Sequence, residues 1–203
     1  ACLAKAAVAA VPAPRDIPYP GVLRIAVDAS DVDRRIVHVS ETLTAPPEDL
    51  VLYYPKWIPG QHAPGGPIDR LAGLVIRSGQ ETLRWKRDPL DTNAFHVAVP
   101  PGTAAIDIRY DYLSPTSAKV AQAEMSRDLM FLEWISVGLY PAGYYARQIP
   151  VEPSMSLPAG WDYGTALETV HRDGPLVTFK PTDLETYFDS PLYAGRYALH
   201  LDL

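Results

Sequence analysis

The sequence predicts a mostly-β chain, an antiparallel β-sandwich with one or two short helices. Three observations carry this reading. Apolar residues recur with period two, most cleanly as Ile106, Ile108, Tyr110 and Tyr112 against Asp107, Arg109 and Asp111. Turn-forming clusters such as Pro100-Pro101-Gly102, Pro158-Ala159-Gly160 and Arg172-Asp173-Gly174-Pro175 separate the alternating stretches. Helix-compatible sequence is confined to a few places, chiefly residues 116–127.

Leu23, Ile25 and Val27 form one face of a first strand. Val37, Val39, Glu41 and Leu43 continue the pattern, with Glu41 the one polar member of that face. Leu50 to Tyr54 is apolar on both faces, as in a buried central strand. It runs into Tyr54-Pro55-Lys56-Trp57-Ile58-Pro59-Gly60, a corner locked twice by proline, each ring fixing φ near about −65° and removing a donor. Tyr54 and Ile58, which precede the prolines, are pushed toward extended geometry, and Gly60 permits a reversal there. Such a corner is either a buttress or one wall of a site; Trp57 is expected to be mainly packed. Leu83 and Trp85 mark a short strand, and Phe95, Val97 and Val99 another. Leu129 to Ile135 is an apolar run, Ile149, Val151, Met155 and Leu157 alternate, and Tyr197, Leu199 and Leu201 close the chain. That last alternation still runs at Leu203, so more protein is expected to follow.

A chain of 203 residues with 47% hydrophobic and 21% charged residues has enough apolar material for a sizeable core. A net charge of −6 argues against nucleic acid or an anionic membrane as partner. No stretch approaches the ~18 apolar residues of a membrane span. Cys2 is the only cysteine, which excludes an intrachain disulfide and a cysteine-based zinc cluster. It lies in an alanine-rich stretch that reads either as the tail of an export signal, with Cys2 the lipid-attachment candidate, or as a tag-like terminus. Residues 1–20 are accordingly expected to be a flexible segment, and 21–203 a single β-sandwich domain. The export reading implies a periplasmic or secreted protein.

Chemistry is sparse. None of His38, His62, His96, His171 and His200 is followed by glutamate, so the His-Glu-x-x-His helix of a zinc peptidase is absent. No serine stands in Gly-x-Ser-x-Gly, and 63–67 lacks the lysine of a phosphate loop. Trp57, Trp85, Trp134 and Trp161 leave open a stand-alone carbohydrate-binding module with an aromatic platform, although large aromatics are also what ordinary cores are made of. A purely structural assembly domain is the third reading.

Five stretches, in order, resemble the amino-terminal domain of the glycyl aminopeptidase family of zinc metallopeptidases. They are Leu52 to Gly60, Gly79 to Arg87, which resembles the family's Gly-x-x-Leu-x-Trp strand with three residues here between Gly79 and Leu83, Ile106 to Tyr112, the Leu157-Pro158-Ala159-Gly160-Trp161 turn, and Tyr187 to Gly195 with Asp189-Ser190-Pro191. The signature positions are thus Tyr54, Pro55, Trp57, Pro59, Gly60, Trp161, Asp189, Ser190 and Pro191. The resemblance implies a non-catalytic β-sandwich that precedes a thermolysin-like domain in the same polypeptide. That domain, absent here, would hold zinc and remove glycine or alanine from peptide substrates, while this chain would bind no cofactor and supply no catalytic residue. In related aminopeptidases the sandwich helps anchor the substrate's free amine by charge-assisted hydrogen bonding. The loosely matching residues 121–126 make Gln122 and Glu124 the substrate-facing candidates, with plain surface solvation as the competing reading.

Overall fold

A computed structural model describes residues 10–59, 61–116 and 123–199. The fold is mostly β and its sheets are dominated by antiparallel pairing. In the strand Leu23–Asp28 the residues Leu23, Ile25 and Val27 point inward and are buried, while Arg24 and Ala26 face solvent. Ile36–Thr44 and Ala105–Leu113 repeat this alternation and pair with each other along their whole length. They form the centre of a large sheet. On one side of them come Leu71–Ser78 and Glu81–Thr82. On the other lie Leu23–Asp28, Pro150–Ser156, Leu176–Phe179 and Thr169–Asp173. Thr182–Asp183 also pairs with Pro150–Ser156, and Leu23–Asp28 runs parallel to Pro150–Ser156.

Two smaller sheets complete the fold. One has the order Asp162–Gly164, Leu192–Gly195, Leu129–Leu132, Ala123–Met125; the other Tyr140–Pro141, Asp49–Tyr53, Ala94–Ala98, Trp85–Arg87. A single hydrophobic core joins all three, with Ile25 and Ile108 from the large sheet, Met130 and Leu192 from the second and Leu52 and Phe95 from the third. Ahead of the first strand the chain is tethered. Tyr19 is buried with its hydroxyl donating to the Thr44 carbonyl at 2.7 Å, and Asp16 pairs with Arg147 at 2.9 Å.

Several local expectations need correction. Within 116–127 the structure has a strand, Ala123–Met125, where helix was expected; residues 117–122 lie outside the described residues. Among the described residues the α-helix is Leu184–Phe188, started by the Asp183 carboxylate, which accepts the Thr186 N–H at 2.9 Å. Tyr197 and Leu199 lie beyond the strand Leu192–Gly195 and are exposed, so the closing alternation forms no strand over its described part. Leu71–Ser78 escapes the periodicity because Gly73, at φ +66°, shifts the register between Ala72 and Val75. Thr169–Asp173 escapes it because every residue there is exposed, which leaves no apolar face to alternate.

Glu41 sits on the core face, opposite Ile25 and Ile108. Its Oε1 accepts the Tyr110 hydroxyl at 2.9 Å and the Leu139 N–H at 2.8 Å. Its Oε2 has no hydrogen-bond partner among the described residues, and neither has the Tyr187 hydroxyl, which feels the same carboxyl. Burial pushes the Glu41 carboxyl up to about 8 against the opposing pull of those two hydrogen bonds. It is therefore protonated in the folded protein at neutral pH. In the unfolded chain it ionises near its ordinary value of 4.5, so stability is full below that pH and is lost as pH rises through the folded value. Denaturant titrations between about pH 5 and 8 should show this decline, and Glu41→Gln, neutral at every pH, should flatten it. Up to pH 8 the parent should lose on the order of 4 kcal/mol that the variant keeps. A parallel profile in both proteins would show that Glu41 ionises freely.

Candidate functional site

Two surfaces stand out. The first is the proline corner leaving the strand Asp49–Tyr53. Tyr54, Pro55 and Ile58 turn inward and are buried. The Tyr54 hydroxyl donates to the Ser136 carbonyl at 2.9 Å. Trp57, expected to be packed, is 62% exposed. The reason is local: the inward direction of the strand is used up by Tyr54 and Pro55, and it returns only at Ile58, so Lys56 and Trp57 form the apex. Pro59 is exposed and Gly60 lies outside the described residues.

The apex is rigidly held. Asn93 donates its side-chain amide to the Tyr54 carbonyl at 3.2 Å and accepts the Tyr54 N–H on its own carbonyl at 2.8 Å. Asp91 accepts the Tyr53 hydroxyl at 2.9 Å and pairs with Lys56 at 3.3 Å. Gly66 closes the other side by donating to the Lys56 carbonyl at 3.0 Å, and a Cβ there would overlap the Pro55 carbonyl. Asp88 accepts the Leu90 and Asp91 N–H groups and lies 2.7 Å from the His96 imidazole. The His96 hydrogen bond, aided by those two N–H donors, holds the Asp88 carboxyl down at about 2. The same turn leaves Leu90 exposed, so corner and turn each present an apolar side chain on a stiff support.

The second surface is the outer face of the sheet containing Leu129–Leu132. Met125, Met130, Leu132, Leu192 and Ala194 point inward and are buried. Register sets Glu124 opposite Phe131 and Phe131 opposite Tyr193, so the three form one row across the outer face. The Phe131 and Tyr193 rings are 4.7 Å apart. A groove of about 430 Å³ runs along this face between Leu129, Tyr163, Tyr193, Tyr197 and Leu199. Of the two substrate-facing candidates, Glu124 is exposed at the end of this row and Gln122 lies outside the described residues. The row itself was not foreseen, although the apolar run beginning at Leu129 was its signal.

Of the remaining signature residues, Trp161 and Ser190 are buried, whereas Pro191 and Asp189 are not. Trp161 is buried, closing the turn through its N–H on the Pro158 carbonyl at 3.2 Å. Ser190 is buried and donates to the Thr186 carbonyl at 2.7 Å, Pro191 is half-buried, and Asp189 is exposed at the end of the helix. Trp134 is buried and Trp85 half-buried with its indole N–H donating to the Leu74 carbonyl at 3.2 Å, so the four tryptophans form no common platform. His38 Nδ1 lies 2.7 Å from Asp111, whose hydrogen bond holds that imidazole above its ordinary range. His62 and His171 are exposed, and His200 lies outside the described residues. Among the described residues no three or more His, Cys, Asp or Glu side chains are grouped to hold a metal. No helix there is long and apolar enough to cross a membrane.

The chain is thus a mostly-β fold with a packed core and two presented surfaces. The family model of the Peptidase M61 N-terminal domain matches residues 24–196, and the chain belongs to that family. It is similar to the aminopeptidase N family protein of Idiomarina loihiensis, at 18% identity and a TM-score of 0.75, over 86% of this chain and 29% of that one. It also matches an M1 zinc metallopeptidase of Deinococcus radiodurans at 12% identity and a TM-score of 0.49, over 89% of this chain and 42% of that one. The chain thus spans less than half the length of either. No curated protein matches it.

The inward and outward residues of the corner should respond differently to substitution. Trp57→Ala should change unfolding free energy by no more than ~0.5 kcal/mol, as exposed positions do. Tyr54→Phe, which strands the Ser136 carbonyl, should cost about 1–3 kcal/mol. Equal losses in denaturant melts would mean that Trp57 is packed after all.

Proposed function

We propose that this chain is the non-catalytic amino-terminal domain of a zinc-dependent aminopeptidase of the glycyl aminopeptidase type. The parent enzyme removes glycine or alanine from peptides, and this domain packs on its catalytic domain and walls the active-site cleft. The observation that carries the reading is the match of residues 24–196 to the Peptidase M61 N-terminal domain. The chain's own residues do not fit zinc, since the sequence has no His-Glu-x-x-His and the described residues offer no ligand cluster. The metal belongs to the catalytic domain. What this chain can offer a peptide is Glu124, an exposed carboxylate in a row with Phe131 and Tyr193. Such a carboxylate can receive an α-ammonium by charge-assisted hydrogen bonding. The alanine-rich stretch around Cys2 supports export of the parent to the periplasm or beyond.

The test uses the full-length parent. It should hydrolyse glycyl and alanyl chromogenic amides and lose that activity to a zinc chelator; absence of either would refute the reading. Glu124→Ala should lower kcat/KM on free-amine peptides by roughly 10- to 100-fold, the size of one lost charged hydrogen bond, and leave thermal stability unchanged. Unaltered kinetics would return Glu124 to the solvated surface.

A further inference from the structure

We propose that the outer face bearing Leu129, Phe131 and Tyr193 is the surface on which the peptidase domain of the same polypeptide docks. This rests on the reading that the parent contains such a domain. The strand Leu129–Leu132 is apolar on both faces, and a strand of that composition is one covered on both. Inside this chain only one face is covered. Met130 and Leu132 are at most 1% exposed, whereas Leu129 is 61% exposed.

The uncovered side is continuous. Tyr193, at 59% exposure, is opposite Phe131, and Tyr197 and Leu199, at 75% and 86%, extend the apolar surface along the groove. Contiguous exposed apolar surface of this kind marks a partner site. The Asp128–Arg196 pair, at 3.5 Å, adds charged groups beside the groove, in the manner of a polar rim around an apolar centre.

The choice of occupant follows from tethering and from length. The similar aminopeptidase N family chain is more than three times as long as the portion matched, since only 29% of it is covered. A domain joined to this one by a linker is present at an effective concentration of order millimolar, far above that of a second copy. Docking there also gives Glu124 its place. It ends the row on the same face, at the margin of the covered surface and so beside whatever cleft the two domains share.

Hydroxyl-radical footprinting of the full-length parent tests this. In this domain Tyr193 and Tyr197 are more exposed than Tyr145, which stands at 40%. If the face is covered the order reverses, with Tyr193 and Tyr197 oxidised at least ~5-fold more slowly than Tyr145. Oxidation in the order of their exposure here overturns the proposal. As a second arm, Tyr193→Asp in the parent should raise the rate of proteolytic cleavage between the domains by about 10-fold. An unchanged rate would also overturn it. A parent dimer that dissociates on Tyr193→Asp would assign the face to a second copy and overturn the intramolecular docking. The two readings fail separately. An active peptidase with freely oxidised Tyr193 sinks the docking alone, while a protected Tyr193 in a parent without peptidase activity sinks the enzymatic reading and keeps the docking.

Discussion

The fold is organised by the need to satisfy one irregular segment inside its core. Residues Trp134 to Leu139 are buried, yet most of them belong to a short 3-10 turn with no ladder to consume their backbone polar groups. A buried segment of this kind survives only if side chains supply the missing partners. Tyr54 donates to the Ser136 carbonyl from one sheet, and Glu41 accepts the Leu139 N–H from another. The cost is a carboxyl group among hydrophobes, tolerable because the proton stays on it. Gly138 lets the Phe188 ring lie against the same segment, where a Cβ would collide with it. Two sheets and the only α-helix among the described residues thus meet around six residues of non-repetitive chain.

Both presented surfaces lean on this centre. Tyr54 and Trp57 are three residues apart, and the first is pinned to the buried segment while the second projects into solvent. Leu129 and Met130 are neighbours with the same division, one face of the strand finishing the core and the other exposed. Rigid presentation of apolar groups lowers the entropy lost on association, which is the physical advantage of mounting them on a proline corner and a sheet instead of on loops.

Strand periodicity made the large sheet legible, because inward positions such as Ile25, Val39 and Ile108 are buried on one side only. Where that condition fails, so does the reading. The exposed hairpin strand Thr169–Asp173 has no apolar face, and Gly73 breaks the phase of Leu71–Ser78. The short helix at Leu184 is too brief for a 3.6-residue period, leaving only its Asp183 cap as a signal. Glu41 was visible as a polar intruder on an apolar face, but its partner Leu139 N–H is a backbone group 98 residues away that no side-chain pattern reveals. The proline corner was recognisable as stiff. Which of its aromatics faces inward was not, since that depends on where the preceding strand's alternation meets the turn. The Glu124 row depends on register between strands, which sequence spacing does not specify.

The parallel pairing of Leu23–Asp28 with Pro150–Ser156 has a consequence for how the molecule comes into being. Arg24 and Glu152, which meet across that pair at 2.6 Å, are 128 residues apart. During synthesis at about 10 residues per second, the first strand waits on the order of 10 s for its neighbour to emerge. Over that interval one side of an apolar strand offers bare N–H and C=O groups to anything nearby. Closure of the large sheet is then a late, long-loop event, with the slow folding that distant contacts impose.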